Sequence, residues 1–475
     1  MHDIVSLPAR GRLQDVFDLQ RRAWSEQGAL SVERREEALG ALADALVRRA
    51  DEFARVIAQD FGHRSLHETK LADLYPVVSS LRHARKHFRR WMKPQRRPIQ
   101  MMFQPASGRV HYQALGVVGI VSPWNYPVQL ALSPLAGALA AGNRILIKPS
   151  ELTPRTSALL AHVIEEVFDE SEVAVVQGGV DVAQAFIRLK FDHLFFTGST
   201  AVGREVMKAA AENLVPVTLE LGGKSPTIIC PEYPIEKAAE RIAVGKLFNA
   251  GQTCIAPDYV LIPRAQQSEF IAAFRNAVVR LYPTFSANPD YTAIISERHY
   301  ERLRKLIADA QTKGAVVHEV GSDNEILETA GRKIAPVLLT EVPDSALAMQ
   351  EEIFGPVLPV VTYEDIEDAI RFISDRPHPL ALYVFSHDRR LVEHILDRTT
   401  SGGAAINETL LHCVQEELPF GGVGNSGMGA YHGEAGFRTF SHARSVFQQA
   451  RINGAGMTKP PYGSRIERML SFLLR

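Results

Sequence analysis

Apolar and polar positions follow two different periods along the chain, and the period changes near residue 110. From about residue 13 to residue 90, apolar residues recur every three or four positions among charged ones, as in ALGALADALVRRADEFARVIAQDF. This spacing puts the apolar side chains on one face of a helix. The N-terminal region is therefore predicted to consist of amphipathic helices.

After residue 110, short apolar runs alternate with helical segments. The runs include GVVGIVSP, RILIKPS, VAVVQG and HLFFTGS, and the alternation restarts after residue 217 with VTLELGG, TIIC and YVLIP. Apolar strands that alternate with helices are typical of parallel sheets with right-handed crossovers. The sequence thus predicts two α/β units with open, mostly parallel sheets, the first a candidate dinucleotide-binding fold, and a boundary near Thr218.

Composition narrows the class of ligand. The 475 residues are 46% hydrophobic, and 53 Lys and Arg residues nearly balance 54 Asp and Glu residues. A chain of this length buries a large core without metal or disulfide staples. A neutral chain also lacks the basic surface that binds nucleic acids, and the basic stretch at residues 82–97 is most simply a solvated helix face. We therefore expect a small-molecule ligand and no nucleic acid.

The apolar runs are short. Residues 1–24 hold no continuous apolar stretch of the kind found in signal peptides, and the longest run, residues 130–142, is shorter than the roughly 20 residues that cross a bilayer. We expect a cytoplasmic protein. Residues 465–475 predict a helix that docks on its own or a partner subunit, and membrane association is the weaker alternative. Its apolar face comprises Ile466, Met469, Leu470, Leu473 and Leu474.

Three segments supply residue types suited to covalent acyl chemistry. Cys254 follows Gly-Gln-Thr in a turn-like stretch, where a thiol can face a cleft; a buried inert thiol is the alternative. Glu220 ends an apolar strand, where desolvation raises the pKa of a carboxyl toward that of a general base; a structural ion pair is the alternative. Asn125 lies between two prolines, where a fixed amide can donate to an oxyanion. The spacing alone does not bring the three together.

Two further segments suggest a nucleotide. FFTGSTAVGREV predicts a strand, a turn at Gly198 and Ser199, then a helix containing Gly203, whose N-terminal N–H groups can face a pyrophosphate. The spacing matches neither the G-x-G-x-x-G turn nor the P-loop. Lys148 and Glu151 follow another strand and can bracket ribose hydroxyls, with a surface ion pair as the alternative.

Together these residues resemble the aldehyde dehydrogenase superfamily over nearly the whole chain. LELGGKSP and FNAGQTCIA resemble its glutamate and cysteine signatures, and SPWNYP, KPSE, FTGS, QEEIFGP and PFGGVGNSGMG follow in the expected order. The short N-terminal region and the segment NSGMGAYHGEAGFRTFSH are most similar to the class 3 branch. Within it, DFGHRSLHET, RHARKHFRRWMKP and FQPASGRV most closely resemble bacterial coniferyl aldehyde dehydrogenases.

The resemblance implies a role for each matched residue. Cys254 would attack the aldehyde carbon, the Asn125 amide and the Cys254 backbone N–H would hold the oxyanion, and Glu220 would activate the water that hydrolyses the thioester. His412, Phe420 and Trp124 would line the substrate tunnel. The cofactor-binding residues would be Trp124, Lys148, Glu151, Gly198, Ser199, Gly203, Leu221, Glu352 and Phe354.

The cofactor implied is NAD, with NADP possible, because a carboxylate at position 151 repels a 2′-phosphate. Lys148 and Glu151 would hold the adenosine ribose, Ser199 the pyrophosphate, and Glu352 with Phe354 the nicotinamide ribose and ring. The chemistry requires no metal. The three cysteines are far apart in sequence, and we expect no metal site.

The resemblance also implies an architecture. Residues 1–97 and 116–217 would bind the cofactor, residues 218–439 would form the catalytic domain, residues 98–115 and 440–452 a bridging β element, and residues 453–475 a tail with the helix. Relatives of this branch imply a homodimer in which the bridge completes a sheet of the neighbouring subunit.

Three functional hypotheses follow. The first is NAD(P)-dependent oxidation of a hydrophobic aldehyde, best represented by coniferaldehyde to ferulate. The second is the same chemistry on medium- or long-chain aliphatic aldehydes. The third is a catalytically silent binding or structural protein with the same fold.

Overall fold

The computed structural model describes residues 9–320, 331–453 and 458–474. In chain order, its helices are α1 (Ala9–Gln27), α2 (Val32–Arg48), α3 (Ala50–Phe61), α4 (Leu66–Thr69), α5 (Tyr75–Trp91), α6 (Gln129–Ala141), α7 (Pro154–Val167), α8 (Val180–Phe186), α9 (Thr200–Ala211), α10 (Ile235–Leu247), α11 (Gln267–Leu281), α12 (Glu297–Thr312), α13 (Leu347–Gln350), α14 (Ile366–Ser374), α15 (Arg389–Arg398), α16 (Gly433–Thr439) and α17 (Ser464–Leu473). Its strands are β1 (Gln95–Arg97), β2 (Ser107–Ala114), β3 (Val117–Val121), β4 (Arg144–Lys148), β5 (Val173–Val175), β6 (His193–Thr197), β7 (Val217–Glu220), β8 (Pro226–Ile229), β9 (Tyr259–Pro263), β10 (Val316–Glu319), β11 (Val337–Thr340), β12 (Val357–Tyr363), β13 (Ala381–Phe385), β14 (Gly403–Ile406), β15 (Gly427–Met428) and β16 (Ser441–Gln448).

The first sheet has the order β15-β7-β6-β3-β4-β5, and its strands are parallel except for β15. Strands β4 and β6 are buried along their whole length, which explains their continuous apolar runs. The predicted boundary near Thr218 falls inside β7, because Thr218 pairs with Phe195 and Glu220 with Thr197. This sheet therefore extends to Glu220. It also takes in β15, which lies within the predicted catalytic segment.

The second sheet has the order β10-β11-β12-β9-β8-β13-β14, and only β10 runs antiparallel to its neighbour. Helices cover these sheets, and α6 is buried along nearly all of its length. The predicted class, α/β with open and mostly parallel sheets, is confirmed.

A small third sheet, β1-β2-β16, is antiparallel, with Ser441 opposite Ala114 and Gln448 opposite Ser107. Two of its strands fall in the predicted bridging segments, and β1 lies just before them. Helix α17 forms where the tail pattern predicted it, and none of its residues is buried. In the described part of the chain, no helix combines the length and apolar character needed to cross a membrane.

Candidate active site

A cavity of about 500 Å³ opens at the carboxyl ends of β6 and β7, the usual position of ligands in open α/β sheets. Residues from both α/β units line it. Among the lining residues are nine of the twelve predicted site residues: Trp124, Asn125, Gly198, Ser199, Glu220, Leu221, Cys254, Glu352 and Phe354. The fold thus brings together Cys254, Glu220 and Asn125, the predicted nucleophile, base and amide, which the sequence left separate.

The segment that carries the nucleophile, residues 249–254, is called here the cysteine loop. Asn249, Ala250 and Gly251 have φ values of 52°, 51° and 75°, and a left-handed conformation costs non-glycine residues about 1–3 kcal/mol each. The Gln252 side chain holds this shape. Its Nε2 donates to the Asn249 carbonyl at 3.0 Å, and its Oε1 accepts from the Ile295 N–H at 3.0 Å.

Cys254 is partly buried at the end of the cysteine loop. Burial raises the pKa of its thiol, and the neighbouring carboxyl groups of Glu352 and Glu220 raise it further. The thiol is therefore protonated at neutral pH in the free protein. A base must take its proton before it can act as a nucleophile.

Glu220 meets this requirement. It is 3% exposed, and neither of its carboxyl oxygens has a hydrogen-bond partner in the described part of the chain. Burial raises the pKa of this carboxyl well above its usual range. The ion pair considered as the alternative is not found among the described residues, and a desolvated carboxyl facing a cavity is a candidate general base.

Asn125 is held at both its side chain and its backbone. Its Nδ2 donates to the Gln252 carbonyl at 3.2 Å, and its backbone carbonyl accepts from Arg64 Nη1 at 2.9 Å and from Asn249 Nδ2 at 3.2 Å. An amide nitrogen carries two hydrogens. One is used within the protein, and the other remains for an oxyanion in the cavity.

A buried ion pair that sequence analysis missed supports this arrangement. Arg64 Nη2 lies 3.0 Å from Asp73 Oδ2, and both side chains are fully buried. Asp73 Oδ1 accepts from the backbone N–H groups of Val128 and Gln129, at 3.1 and 3.2 Å, where α6 begins. The pair therefore links the Asn125 backbone to the start of α6.

Glu68 supports the cysteine loop from the same segment. Its Oε1 accepts from the Asn249 N–H at 3.2 Å, and its Oε2 accepts from the Thr292 hydroxyl at 2.8 Å. Burial raises the pKa of Glu68 to about 7. In the sequence, Arg64, Glu68 and Asp73 look like the polar face of a helix, so no local signal distinguishes them.

The start of α9 forms one wall of the cavity. Ser199 is its N-cap and accepts from the Val202 N–H at 3.4 Å, and the first helical residues, Thr200 and Ala201, line the cavity. Gly203 does not line it. A Cβ there would come within 2.6 Å of Leu221 Cδ2, so this glycine allows α9 to approach the strand ends.

Lys148 and Glu151 do not line the cavity either. Lys148 is 2% exposed, its Nζ donates to the Pro149 carbonyl at 2.7 Å, and it lies 3.6 Å from Glu151 Oε2. The ion pair considered as the alternative is thus present. Lys148 is the last residue of β4, and Glu151 follows it by three positions. Both lie beside the SPWNYP segment, because the Ser122 N–H donates to the Lys148 carbonyl at 3.1 Å.

Glu352 and Phe354 line the opposite wall. Phe354 has φ 51°, and its ring meets Trp124 edge-on at 5.5 Å. Burial and Asp258 raise the pKa of Glu352 to about 8. The Glu352 carboxyl lies against Gly222, where no Cβ fits.

Two lining residues on α12 were not predicted. The His299 ring lies 5.2 Å from Trp124, and Arg302 Nη1 donates to the Glu352 carbonyl at 3.2 Å. Their helix has an ordinary amphipathic pattern, which does not single them out.

His412 and Phe420, predicted to line the substrate tunnel, do not line this cavity. Their rings lie 6.1 Å apart, and His412 also contacts Tyr383, whose hydroxyl donates to the Ile255 carbonyl at 2.5 Å. His412 therefore packs through Tyr383 against Ile255, the residue after Cys254.

The cavity suits a dinucleotide. The N-terminus of α9 offers N–H groups to phosphate. Gly198 and Gly222 also line the cavity, where a Cβ would meet the Phe196 ring and the Glu352 carboxyl, respectively. Aromatic rings at Trp124 and Phe354 provide flat apolar walls.

Comparison with known proteins agrees with this geometry. The model of the aldehyde dehydrogenase family matches residues 10–446. A probable coniferyl aldehyde dehydrogenase of Pseudomonas aeruginosa is 50% identical over 97% of this chain and 95% of its own length. A rat aldehyde dehydrogenase, family 3 member A2, is 44% identical over 76% of this chain and 73% of its own length.

Solved structures agree as well. A Staphylococcus aureus AldH, described in a substrate-bound state, superposes with a TM-score of 0.91 at 38% identity, covering 97% of this chain and 99% of that chain. A Mycobacterium tuberculosis aldehyde dehydrogenase complexed with NAD+ superposes with a TM-score of 0.83 at 30% identity, covering 93% and 91%. These relatives support the use of NAD(P) in general. The chain therefore belongs to the aldehyde dehydrogenase family and is an oxidoreductase enzyme.

Proposed function

We propose that this enzyme oxidises hydrophobic aldehydes to carboxylic acids with NAD(P), and that coniferaldehyde, giving ferulate, is its preferred substrate. The observation that carries the proposal is that Cys254, Asn125 and Glu220 line one cavity. The Pseudomonas aeruginosa relative, a probable coniferyl aldehyde dehydrogenase, supports the choice of aldehyde. Because the family identifies an enzyme, a silent structural role has no support.

The chain's own residues supply the covalent steps. Cys254 gives its proton to Glu220, and its Sγ forms a bond with the carbonyl carbon, giving a thiohemiacetal. The free Asn125 amide hydrogen and the Cys254 backbone N–H stabilise the oxyanion. The bound nicotinamide cofactor supplies the hydride acceptor through which the thiohemiacetal becomes a thioester. Glu220 releases the proton of the thiol to solvent and then takes a proton from the attacking water, whose oxygen bonds to the thioester carbon. The carbon–sulfur bond breaks, the carboxylic acid leaves, and Glu220 returns its proton to the Cys254 thiolate.

A substrate panel tests the choice of aldehyde. NADH formation would be followed with coniferaldehyde, cinnamaldehyde, benzaldehyde, hexanal and decanal. We expect coniferaldehyde to lead in kcat/KM by about tenfold, or about 1.4 kcal/mol of transition-state preference. If decanal leads instead, the aliphatic alternative replaces this proposal, whereas the covalent mechanism stays.

Cofactor preference is proposed from Lys148 and Glu151. In this proposal the two side chains hold the adenosine ribose, and the Glu151 carboxylate disfavours a 2′-phosphate, so NAD is preferred. Glu151 is exposed, so Glu151→Gln tests the repulsion with little effect on the fold. We expect the ratio of kcat/KM for NADP to that for NAD to rise about tenfold. Glu165→Gln, an exposed carboxylate on α7, is the matched control and is expected to leave the ratio unchanged.

A homodimer is proposed from the small sheet β1-β2-β16. The outer edge of β16 has no strand partner in the described part of the chain, and Phe447 on it is 55% exposed. An open edge strand favours pairing with another strand. Sedimentation equilibrium is expected to give a dimer, and a monomer at all micromolar concentrations would contradict this. No membrane association is expected, and the cytoplasmic location stays a prediction.

A further inference from the structure

Two histidines and a carboxylate meet at a distance from the cofactor cavity. His83 and His87 lie one turn apart on α5, and their ring centroids are 4.2 Å apart. Glu417, which follows them by more than 300 residues, lies with its Oε1 3.3 Å from His83 Nε2. One ligand atom from each of the three lies within 4.8 Å of the other two. None of the three lines the cavity that holds Cys254.

Each of the two rings has a nitrogen available to a metal ion. His87 Nδ1 lies 2.9 Å from the His83 carbonyl, and a carbonyl only accepts, so Nδ1 carries the hydrogen and the Nε2 lone pair is free. A metal-bound histidine typically donates its other N–H to such a carbonyl. His83 Nε2 is buried and forms no hydrogen bond with any described residue. Both nitrogens therefore lack a donor that would compete with a cation.

The charges around the site select the kind of ion. Two basic residues of the same helix, Lys86 and Arg90, lie close enough to His83 to repel positive charge there. The same basic groups disfavour ions that are held by charge alone, such as Ca²⁺ and Mg²⁺. Imidazole nitrogens instead favour zinc, nickel and copper ions.

The adjacent carboxylate is already engaged. Glu416 accepts hydrogen bonds from the Ser80 hydroxyl and the Gly433 N–H. It anchors the segment beside α5 so that Glu417, which is 70% exposed, reaches the two rings. An ion bound here would link α5 to the segment that also carries Cys413.

The geometry points to a binding site for a divalent transition-metal ion of the zinc type, formed by His83, His87 and Glu417. Two imidazole nitrogens and one carboxylate oxygen leave the fourth tetrahedral position to water. No local pattern in the sequence indicates this cluster, because the third ligand is remote in sequence. The proposed site has no role in aldehyde oxidation, so it stands independently of the proposed function.

Zinc titration tests the site. The full chain would be prepared without a histidine tag and with Cys254→Ser, so that the reactive thiol does not bind the metal. Calorimetry with ZnCl2 is expected to show one ion per chain. His83→Gln and His87→Gln are each expected to weaken binding at least about tenfold. Anomalous scattering from a zinc-soaked crystal is expected to locate the ion between the three side chains.

Two further variants complete the test. Glu417→Gln changes an exposed side chain, so it tests the site without endangering the fold, and it is also expected to weaken binding. His162→Gln is the matched control, because His162 lies 3.1 Å from Glu166 on α7 without a second histidine. It is expected to leave binding unchanged. The proposal is wrong if the parent binds no stoichiometric zinc, or if all three ligand variants bind zinc as the parent does.

Discussion

The cysteine loop and the end of β7 face the same cavity but are held in different ways. The cysteine loop has an unfavourable backbone and depends on buried polar contacts with distant segments. Glu68 accepts from the Asn249 N–H, and Gln252, within the loop, accepts from the Ile295 N–H. Glu220 ends a regular strand, and the sheet register alone fixes its backbone. Its carboxyl has no partner among the described residues.

This difference separates the residues that hold the site in place from those proposed to react. A buried polar group with hydrogen-bond partners stabilises one geometry. A buried carboxyl without partners is destabilising, and its raised pKa makes it a candidate base near neutral pH. We expect changes at the reactive groups to remove activity and leave the fold intact. Changes at the supporting groups should first reduce stability.

The nucleophile gives the largest expected effect. Cys254→Ala removes the only group that forms the covalent bond in the proposed mechanism, so turnover should fall by at least about 10⁴-fold. The thermal unfolding midpoint should stay the same, because the partly buried thiol supports no other residue. NADH formation and a thermal melt measure the two quantities. Cys413→Ala, the other partly buried cysteine, should keep most of the activity.

Glu220→Gln should lower kcat by about 10²- to 10⁴-fold, because water then lacks its base. Because Gln has nearly the same shape and carries no charge, the free energy of unfolding should not fall below that of the wild type. The raised pKa of Glu220 predicts that wild-type kcat increases with pH as this carboxyl loses its proton, and the variant should lose that increase. A variant that is less stable than the wild type, or that keeps the pH dependence, would contradict the view that Glu220 reacts and does not support the fold.

Arg64→Met should destabilise the protein by about 3–5 kcal/mol, because it leaves the buried Asp73 without its counter-ion. The double variant Arg64→Met/Asp73→Asn should be less destabilised than Arg64→Met alone, since it removes the unpaired charge as well. Denaturant titration measures both. If the loss of stability in the double variant equals the sum of the losses in Arg64→Met and Asp73→Asn, the two residues do not act as a pair.

Loss of the Arg64 bond to the Asn125 carbonyl should also lower kcat more than it raises KM. Arg64→Lys keeps the charge and should recover part of the lost kcat. Equal kcat in the Met and Lys variants would mean that Arg64 does not position the amide.

Glu68→Gln gives the smallest expected effect, and it depends on pH. Because the folded pKa of Glu68 is raised from 4.5 to about 7, its contribution to stability is present at low pH and is lost as pH rises between these values. The variant should therefore gain stability relative to the wild type as pH rises to 8, by at most about 3 kcal/mol. Urea midpoints at pH 5, 6, 7 and 8 measure this gain. Glu36→Gln, which removes a surface carboxylate, should show no such trend, and a flat profile for Glu68→Gln would contradict the expectation.

The positions of three predicted site residues along the chain agree with the strand pattern. Glu220, Gly198 and Ser199 lie at strand ends, where apolar runs stop and local pattern is informative. The predicted boundary near Thr218 lies inside β7. A change in the sequence pattern shows where a new element begins, but it does not show which sheet that element joins.

Other features depended on contacts between distant segments. The approach of Cys254 to Glu220, the support from Arg64, Glu68 and Asp73, and the His83, His87 and Glu417 cluster all join residues that no local period relates. His299 and Arg302 entered the cavity from an ordinary amphipathic helix.

By itself, the sequence determined the α/β class and the order of the elements, and it supplied the candidate reactive groups, because hydrophobic period and residue chemistry are local properties. Only the tertiary structure decided which polar residues support the site. Burial gives a polar side chain its partners and shifts its pKa, and burial is a property of the assembled chain.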